Sequence, residues 1–356
     1  MTLTEINFYV RKSAPLAIIV VLVLLTLFFA IRLVLLINSV NPNTPTASAA
    51  NIKLNTVFNK ITPLEIANVG TSGNFTYTLD TLDGTANADT ATSAASVFFL
   101  RKPAPSFGFL DEIYGMAKTA GIDTEITKHV LTDRIATFDD GRRKLTIDID
   151  NFNFNYEYYL DRDEELFNRN LTTATQLEGQ GSGFLTKMGK YNPELAKGKR
   201  NTIYLRYEKD TKQISSLESA ENANMVEVDY YRPDIDGFPV VTTSYYNSPD
   251  YVMFAAKGNA YEVVKAQIKY FEKTTDQIGT YPLRTADQAF DDLKKGKGLV
   301  ISAGQPDGEI KIKKVFLAYY DPDVYQEYMQ PVYVFLGENK FVGYVKAVTD
   351  EYLSTP

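Results

Sequence analysis

Cysteine and tryptophan are both absent from these 356 residues, and histidine occurs once, at position 129. Without thiols the chain has no disulfide, no thiolate nucleophile, no cysteine-ligated zinc and no lipobox for acylation. A zinc site needs several convergent nitrogen or sulfur ligands, and His129 has no HExxH motif or second imidazole beside it. His129 therefore reads as a surface or packing residue. A Ser-His-Asp triad would have to use it, and no G-x-S-x-G elbow is present. A Ser–Lys dyad or a carboxylate pair stays open, because neither has a spacing that sequence reveals. No catalytic residue, cofactor or metal is assigned.

Positive charge is also short. Lys and Arg number 37 against 44 acids, for a net charge of −7. Residues 1–50 carry Arg11, Lys12 and Arg32 against Glu5, a balance of +2, so residues 51–356 carry −9. An acidic body of that kind is a poor partner for nucleic acid, whose phosphates need clustered Lys and Arg. Two short motifs invite more than they support. Asp234-Ile235-Asp236-Gly237 resembles part of an EF loop, but Arg232 stands where an acid is needed and the closing Glu is missing, so a turn is expected. Gly179-Gln180-Gly181-Ser182-Gly183 resembles a phosphate cradle without the Walker lysine. It reads as a hinge that interrupts a helix, or as a tight packing site.

One long apolar run is present. From Ala14 to Ile37 only Arg32 is charged, and Leu, Ile, Val, Ala and Phe fill nearly all other positions. About 20 apolar residues suffice for a helix to cross the ~30 Å bilayer core. Arg11 and Lys12 precede the run, and the next cation after Arg32 is Lys53, so the amino terminus is expected inside and the bulk outside. Ala47-Ser48-Ala49 resembles a cleavage site, but the run exceeds a signal h-region of about 7–15 residues, which favours an uncleaved anchor. Arg32 is expected to snorkel to the outer headgroups or to pair with a partner helix.

Beyond the run, residues 38–56 are mostly Asn, Pro, Thr, Ser and Ala and read as a flexible linker. Residues 83–96 hold nothing larger than Thr, Asn or Asp and read as a loop. A repeated order then follows: helix, then hairpin. Helices are expected over 107–120, 171–190 and 285–295, the second broken by its glycines and the third capped by Thr285. Alternating strands are expected over 134–138, 144–149, 151–160, 201–207, 226–231, 251–256, 260–271, 299–302, 310–320, 331–336 and 341–348. The fold class is α+β, an N-terminal single transmembrane helix followed by repeated helix-plus-antiparallel-hairpin units with helices on one face. The 24 Tyr and 21 Phe suit such strands as sheet packing. Tyr319, Tyr320 and Tyr325, around the Pro-containing turn Asp321-Pro322-Asp323, are the candidate exposed contact patch.

The last seventy residues carry a resemblance. A short helix with Ala286, Ala289 and Leu293 precedes a Leu317-Ala318-Tyr319 strand and a Pro331-Val332-Tyr333 strand. Upstream stand Arg232, Gly237, Pro239 and Val240. This order is similar to PepSY-like modules and to the membrane-anchored YycH/YycI type regulators of Gram-positive two-component kinases. It covers residues 160–350, while the small-residue loop and the extra N-terminal region depart from it. The resemblance implies a non-catalytic, extracytoplasmic protein that modulates a membrane partner or a wall enzyme, and it transfers no functional residue.

The expected organisation is a cytoplasmic tail (1–13), a transmembrane helix (14–37) in contact with the lipid bilayer, a linker (38–56), a first extracytoplasmic α+β domain (57–170) and a second, PepSY-like one (171–356). The expected function is a membrane-anchored binding or regulatory protein with a membrane-protein or cell-wall partner. The alternatives are a structural subunit of an envelope-spanning assembly, motivated by Arg32, and, third, a cell-wall hydrolase.

Overall fold

The computed structural model describes residues 22–32, 52–66, 73–82, 84–86, 92–167 and 175–354. It comprises two units, 1–50 and 51–356. In the first, residues 22–32 form helix α1, and its large apolar side chains from Leu22 to Ile31 are 46–60% exposed. Thr26 donates its hydroxyl back to the Leu22 carbonyl (2.8 Å), so its polar group is satisfied within the helix. Among the described residues no helix is long and apolar enough to cross a membrane. The tail at 1–13 and residues 14–21 and 33–37 of the expected span lie outside them.

The second unit is mixed α+β, mostly strand. Its largest sheet is nine-stranded and antiparallel, with β3 (Val130–Leu131), β4 (Ile135–Asp139), β5 (Arg143–Asp148), β6 (Phe154–Tyr158), β7 (Arg200–Glu208), β8 (Gln213–Leu217), β9 (Met225–Tyr230), β11 (Tyr251–Lys257) and β12 (Ala260–Ile268). Their spatial order is β3-β4-β5-β6-β12-β11-β9-β7-β8. Three helices, α2 (Phe109–Thr119), α3 (Thr175–Lys187) and α4 (Pro193–Lys197), share one core with inward residues of this sheet such as Phe138, Ile147, Phe154, Val228 and Phe254. The opposite face buries Leu205, Tyr207, Met253 and Val264 under Leu166.

A second sheet contains β1 (Phe75–Leu79), β14 (Leu299–Ser302), β15 (Gly308–Asp321), β17 (Pro331–Gly337) and β18 (Val342–Lys346), with α5 (Ala286–Lys294) packed on it. The Thr285 hydroxyl and the Gln288 side chain close a capping box at the start of α5, worth about 1 kcal/mol. β1 pairs parallel with the first part of β15, and β10 (Val240–Thr242) pairs parallel with its end. A third sheet orders β13 (Lys273–Pro282), β2 (Ala94–Leu100) and β16 (Tyr328–Met329).

Most expected elements form, but their assembly differs. The hairpins are not three separate units: β6, before residue 170, pairs with β12, after it. The boundary expected at 170/171 therefore cuts through one sheet. The sheet around β15 is mixed rather than antiparallel, because β1 and β10 arrive from distant segments rather than through hairpins. Asn55 exchanges backbone bonds with Thr280 (3.1 and 2.8 Å), so the chain is docked before the linker's expected end at 56. In the small-residue segment expected to be a loop, Ala86 is fully buried, and Ala94 and Ala95 open β2. Small side chains fit where two layers approach closely.

The glycine run is not a break. α3 passes through it without interruption. Gly181 is the packing site: a Cβ there would lie 2.3 Å from the hydroxyl of buried Tyr230, which donates to the Glu178 carbonyl (3.3 Å). Gly179 and Gly183 have open space around them. Gly179→Ala and Gly183→Ala should each stabilise the chain by about 0.5–1 kcal/mol, while Gly181→Ala should cost about 1–3 kcal/mol. Thermal melts of the three variants check this opposition of sign.

Candidate site: a groove around a buried arginine

Arg232 follows β9 after one residue and is 2% exposed. Its Nε donates to Asp321 Oδ2 (2.8 Å), its Nη1 to Glu194 Oε2 (2.9 Å) and its Nη2 to the Phe271 carbonyl. The guanidinium lies 3.9 Å from the centroid of the Tyr270 ring. Asp321 ends β15, Glu194 sits in the first turn of α4, and Tyr270 and Phe271 follow β12. One side chain thus ties four elements together.

Local chemistry places each partner. Asn192 caps α4 by accepting the Glu194 N–H (2.8 Å), which fixes Glu194 in the first turn. Gly198 ends the helix where a Cβ would come within 1.6 Å of the Tyr231 carbonyl, so only glycine lets α4 lie this close to the chain leading to Arg232. Tyr270 donates its hydroxyl to Glu194 Oε2 (2.5 Å), and Lys273 Nζ reaches Glu194 Oε1 (2.7 Å).

Burial disfavours the charge on Arg232, but the nearby Asp321 and Glu194 carboxylates more than offset it and its pKa is raised. Burial also works against the charge on Glu194, yet Arg232 and Lys273 outweigh it and the pKa falls. Asp250, 1% exposed and bonded to the Lys269 N–H (2.6 Å), is pushed up to about 7, by burial first and then by the charge of Asp321. The Lys190 ammonium, donating to the Asn151 carbonyl (2.8 Å), is lowered by burial.

Two adjoining hollows open beside this network. One of about 460 Å³ is lined by Phe98, Glu194, Lys197, Ile235, Asp236 and Lys273, and one of about 320 Å³ by Arg101, Lys102, Asp150 and Lys190. Asn192, Tyr270 and Glu272 line both, so they form a single groove. A third hollow of about 270 Å³ lies against Tyr231, Arg232, Asp234 and Pro239. The turn expected at Asp234 to Gly237 forms part of the wall. Ile235 and Phe238 exchange backbone bonds (2.9 Å each), and Asp236 and Gly237 both have positive φ (53° and 81°). That is the geometry an Asp-Gly pair favours.

Part of the charge here is paired: Arg101 with Glu272 (3.1 Å) and Lys273 with Glu194 (2.7 Å) in the groove, and Lys199 of the third hollow with Asp234 (3.2 Å). Among the described residues no three His, Asp or Glu side chains converge as a metal site would require. His129 lies elsewhere, its Nδ1 2.8 Å from the Tyr114 hydroxyl and its ring against Phe138.

The tyrosine patch expected from sequence needs correction. Tyr319 and Tyr320 are 0% and 1% exposed, because β15 is an interior strand flanked by β10 and β17 with both faces covered. Tyr319 packs on Phe98 and Phe238, and its hydroxyl points at Asp236 Oδ2 (3.4 Å). Tyr320 meets Thr243 Oγ1 (2.8 Å). Tyr325 is half-buried, with its ring against Phe271 and its hydroxyl on the Leu100 carbonyl (3.3 Å). Two of the three thus stand directly behind the groove. Arg32 is exposed at the end of the described part of α1.

Arg232, Glu194, Asp250 and Asp321 escape a reading by motif, because 127 positions separate the first from the last to converge and no local spacing links them (321 − 194). A sequence clue was the arginine at position 232, in the otherwise acidic and aromatic run Val228 to Val240.

No protein-family model and no curated protein matches the sequence. The structure is similar to an uncharacterized protein from Eubacterium rectale ATCC 33656, with 13% identity, 79% of this chain and 88% of that one covered, and a TM-score of 0.38. It is also similar to YycH from Bacillus subtilis, with 10% identity, 73% of this chain covered and a TM-score of 0.34. The match spans about half of the YycH chain, 53%.

Proposed function

We propose that this chain is a membrane-anchored, extracytoplasmic binding protein that regulates a membrane partner and performs no chemistry of its own. The anchor reading draws support from the apolar run Ala14 to Ile37, in which only Arg32 is charged. The N-in orientation rests on Arg11 and Lys12. The observation that carries the binding reading is the groove beside Arg232. Its walls combine charges of both signs with the apolar faces of Phe98, Ile235 and Tyr270. A phosphate-rich ligand needs concentrated positive charge, whereas the five cations lining these walls (Arg101, Lys102, Lys190, Lys197 and Lys273) are matched by five carboxyls. An extended polypeptide segment, with backbone polarity and alternating side chains, fits mixed walls better. Asp229 and Asp250, two carboxyls raised by burial, stand away from the groove lining, whereas an acid catalyst is expected to face its substrate.

A photoreactive residue in place of Thr275, on the groove wall, should crosslink to one membrane protein in the native membrane. The same residue at Ser215, on the exposed edge strand β8, should not. Lys197→Glu should weaken the Thr275 crosslink roughly three- to tenfold. Equal yields from both positions would remove the groove from consideration. The subunit reading keeps its own test: Arg32→Leu should dissolve an assembly held by an intramembrane charge pair and leave the groove crosslink intact.

A further inference from the structure

Cations and carboxyls are equal in number along the groove but unequal in distribution. In the 320 Å³ hollow, Arg101 is paired with Glu272 (3.1 Å). Asp150, the other acid there, is bonded through Oδ2 to Arg134 (2.6 Å), which lies outside the lining. Lys102 and Lys190 line the same hollow and have no carboxylate partner among the described residues. In the 460 Å³ hollow the two charges left without an ion partner, Lys197 and Asp236, are of opposite sign. The excess of positive charge therefore sits at one end.

The local structure holds Lys190 at that end. α3 closes in a left-handed turn at Gly189 (φ 69°), where the Gly189 N–H bonds the Thr186 carbonyl (3.0 Å) and the Lys190 N–H bonds the Leu185 carbonyl (2.8 Å). This paired closure fixes the backbone of Lys190. Its Nζ crosses to the turn between β5 and β6 and donates to the Asn151 carbonyl (2.8 Å). An ammonium has three N–H groups, so two of them have no protein acceptor among the described residues. Burial lowers the Lys190 pKa in spite of the more distant Asp250, Glu112, Asp148 and Glu272, so its charge is undercompensated. Asn192, on the same wall, uses Oδ1 for the α4 cap and leaves Nδ2 without a protein acceptor among the described residues.

We propose that this end of the groove is a carboxylate subsite, in which the Lys190 ammonium, with Asn192 and Lys102 on the same walls, receives the carboxylate of a polypeptide ligand, terminal or side-chain.

The subsite rests on the reading of the groove as a polypeptide site and adds an orientation to it. A carboxylate carries a single charge and accepts N–H donors on both oxygens, which matches one partly buried ammonium beside a neutral amide. A phosphate dianion would bring a second charge against Asp150 and Glu272. A neutral group would leave the Lys190 charge as undercompensated as before.

The missing tryptophan makes a clean test. In the full-length chain in detergent, an Ala104→Trp reporter on the exposed rim of this hollow would be the sole tryptophan. Its fluorescence is titrated with N-acetyl-tetraalanine bearing a free carboxyl, with the C-terminal amide of that peptide, and with the amide carrying one internal aspartate. The free acid should bind roughly tenfold more tightly than the plain amide. The aspartate peptide separates the two sources: binding like the free acid assigns a side-chain carboxylate, binding like the plain amide a terminal one. Adding Lys190→Met should abolish the preference for acid. Equal binding of free acid, aspartate peptide and plain amide, a response to inorganic phosphate alone, or a preference that survives Lys190→Met would overturn the subsite. The comparison of acid with amide needs only the reporter, so it decides the matter even if Lys190→Met does not fold. A Thr275 crosslink without acid preference would overturn the subsite and leave the groove reading standing, and acid preference without a crosslink would do the reverse.

Discussion

Arg232→Leu is expected to lower stability by about 3–5 kcal/mol, the range for breaking a buried ion pair from one side. The loss arises less from the missing hydrogen bonds than from what stays behind. Asp321 is 4% exposed and has one oxygen without a donor even when Arg232 is present. Without the guanidinium its charge has lost its only short ion-pair partner among the described residues, and the Phe271 carbonyl loses its buried donor. Glu194 keeps Lys273 and Tyr270 and is less affected. Removing the charges together should cost much less: Arg232→Leu with Asp321→Leu leaves no uncompensated carboxylate on the β15 side. Thermal melts of the full-length chain in detergent should place the double variant above the single one. A single variant that melts as the parent does would mean that the network adds nothing to the fold.

Tyr320→Ala should cost a similar 3–5 kcal/mol, as for other large aromatic truncations in a closed core. Tyr320 is packed with Val241, Val332 and Tyr344 between β10 and β18, with its hydroxyl on Thr243. Truncation opens a cavity on one face of β15, where the neighbouring strands cannot close in. Tyr325→Ala should cost less, within about 1–2 kcal/mol, because that ring is half-buried. Circular dichroism melts of the two variants check the contrast. It also governs the reading of any binding experiment: lost partner capture after Tyr319→Ala or Tyr320→Ala would report a damaged core, and only Tyr325→Ala could report a lost contact.

Local order was legible from the residues alone. The paired strands Pro331–Gly337 and Val342–Lys346, the N-cap at Thr285, and the Asp-Gly turn at 236–237 each follow from chemistry within a few positions. The strands β8 and β13 were not anticipated. The sequence of β8, QISSL, lacks a clear apolar alternation, and β13 shifts register between Lys273 and Ile278. Both exist because a neighbouring strand offers unpaired backbone groups.

By itself, then, the sequence determined composition, an acidic body, an apolar run with one arginine, the turns, the caps and most strand positions, since these depend on neighbours along the chain. Only the tertiary structure decided which strands meet, that Tyr319 and Tyr320 are core, that Gly181 makes room for Tyr230, and that Arg232 gathers Glu194 and Asp321. The physical reason is range. Burial and charge pairing act through space, and residues that meet in a core need share no spacing in the chain.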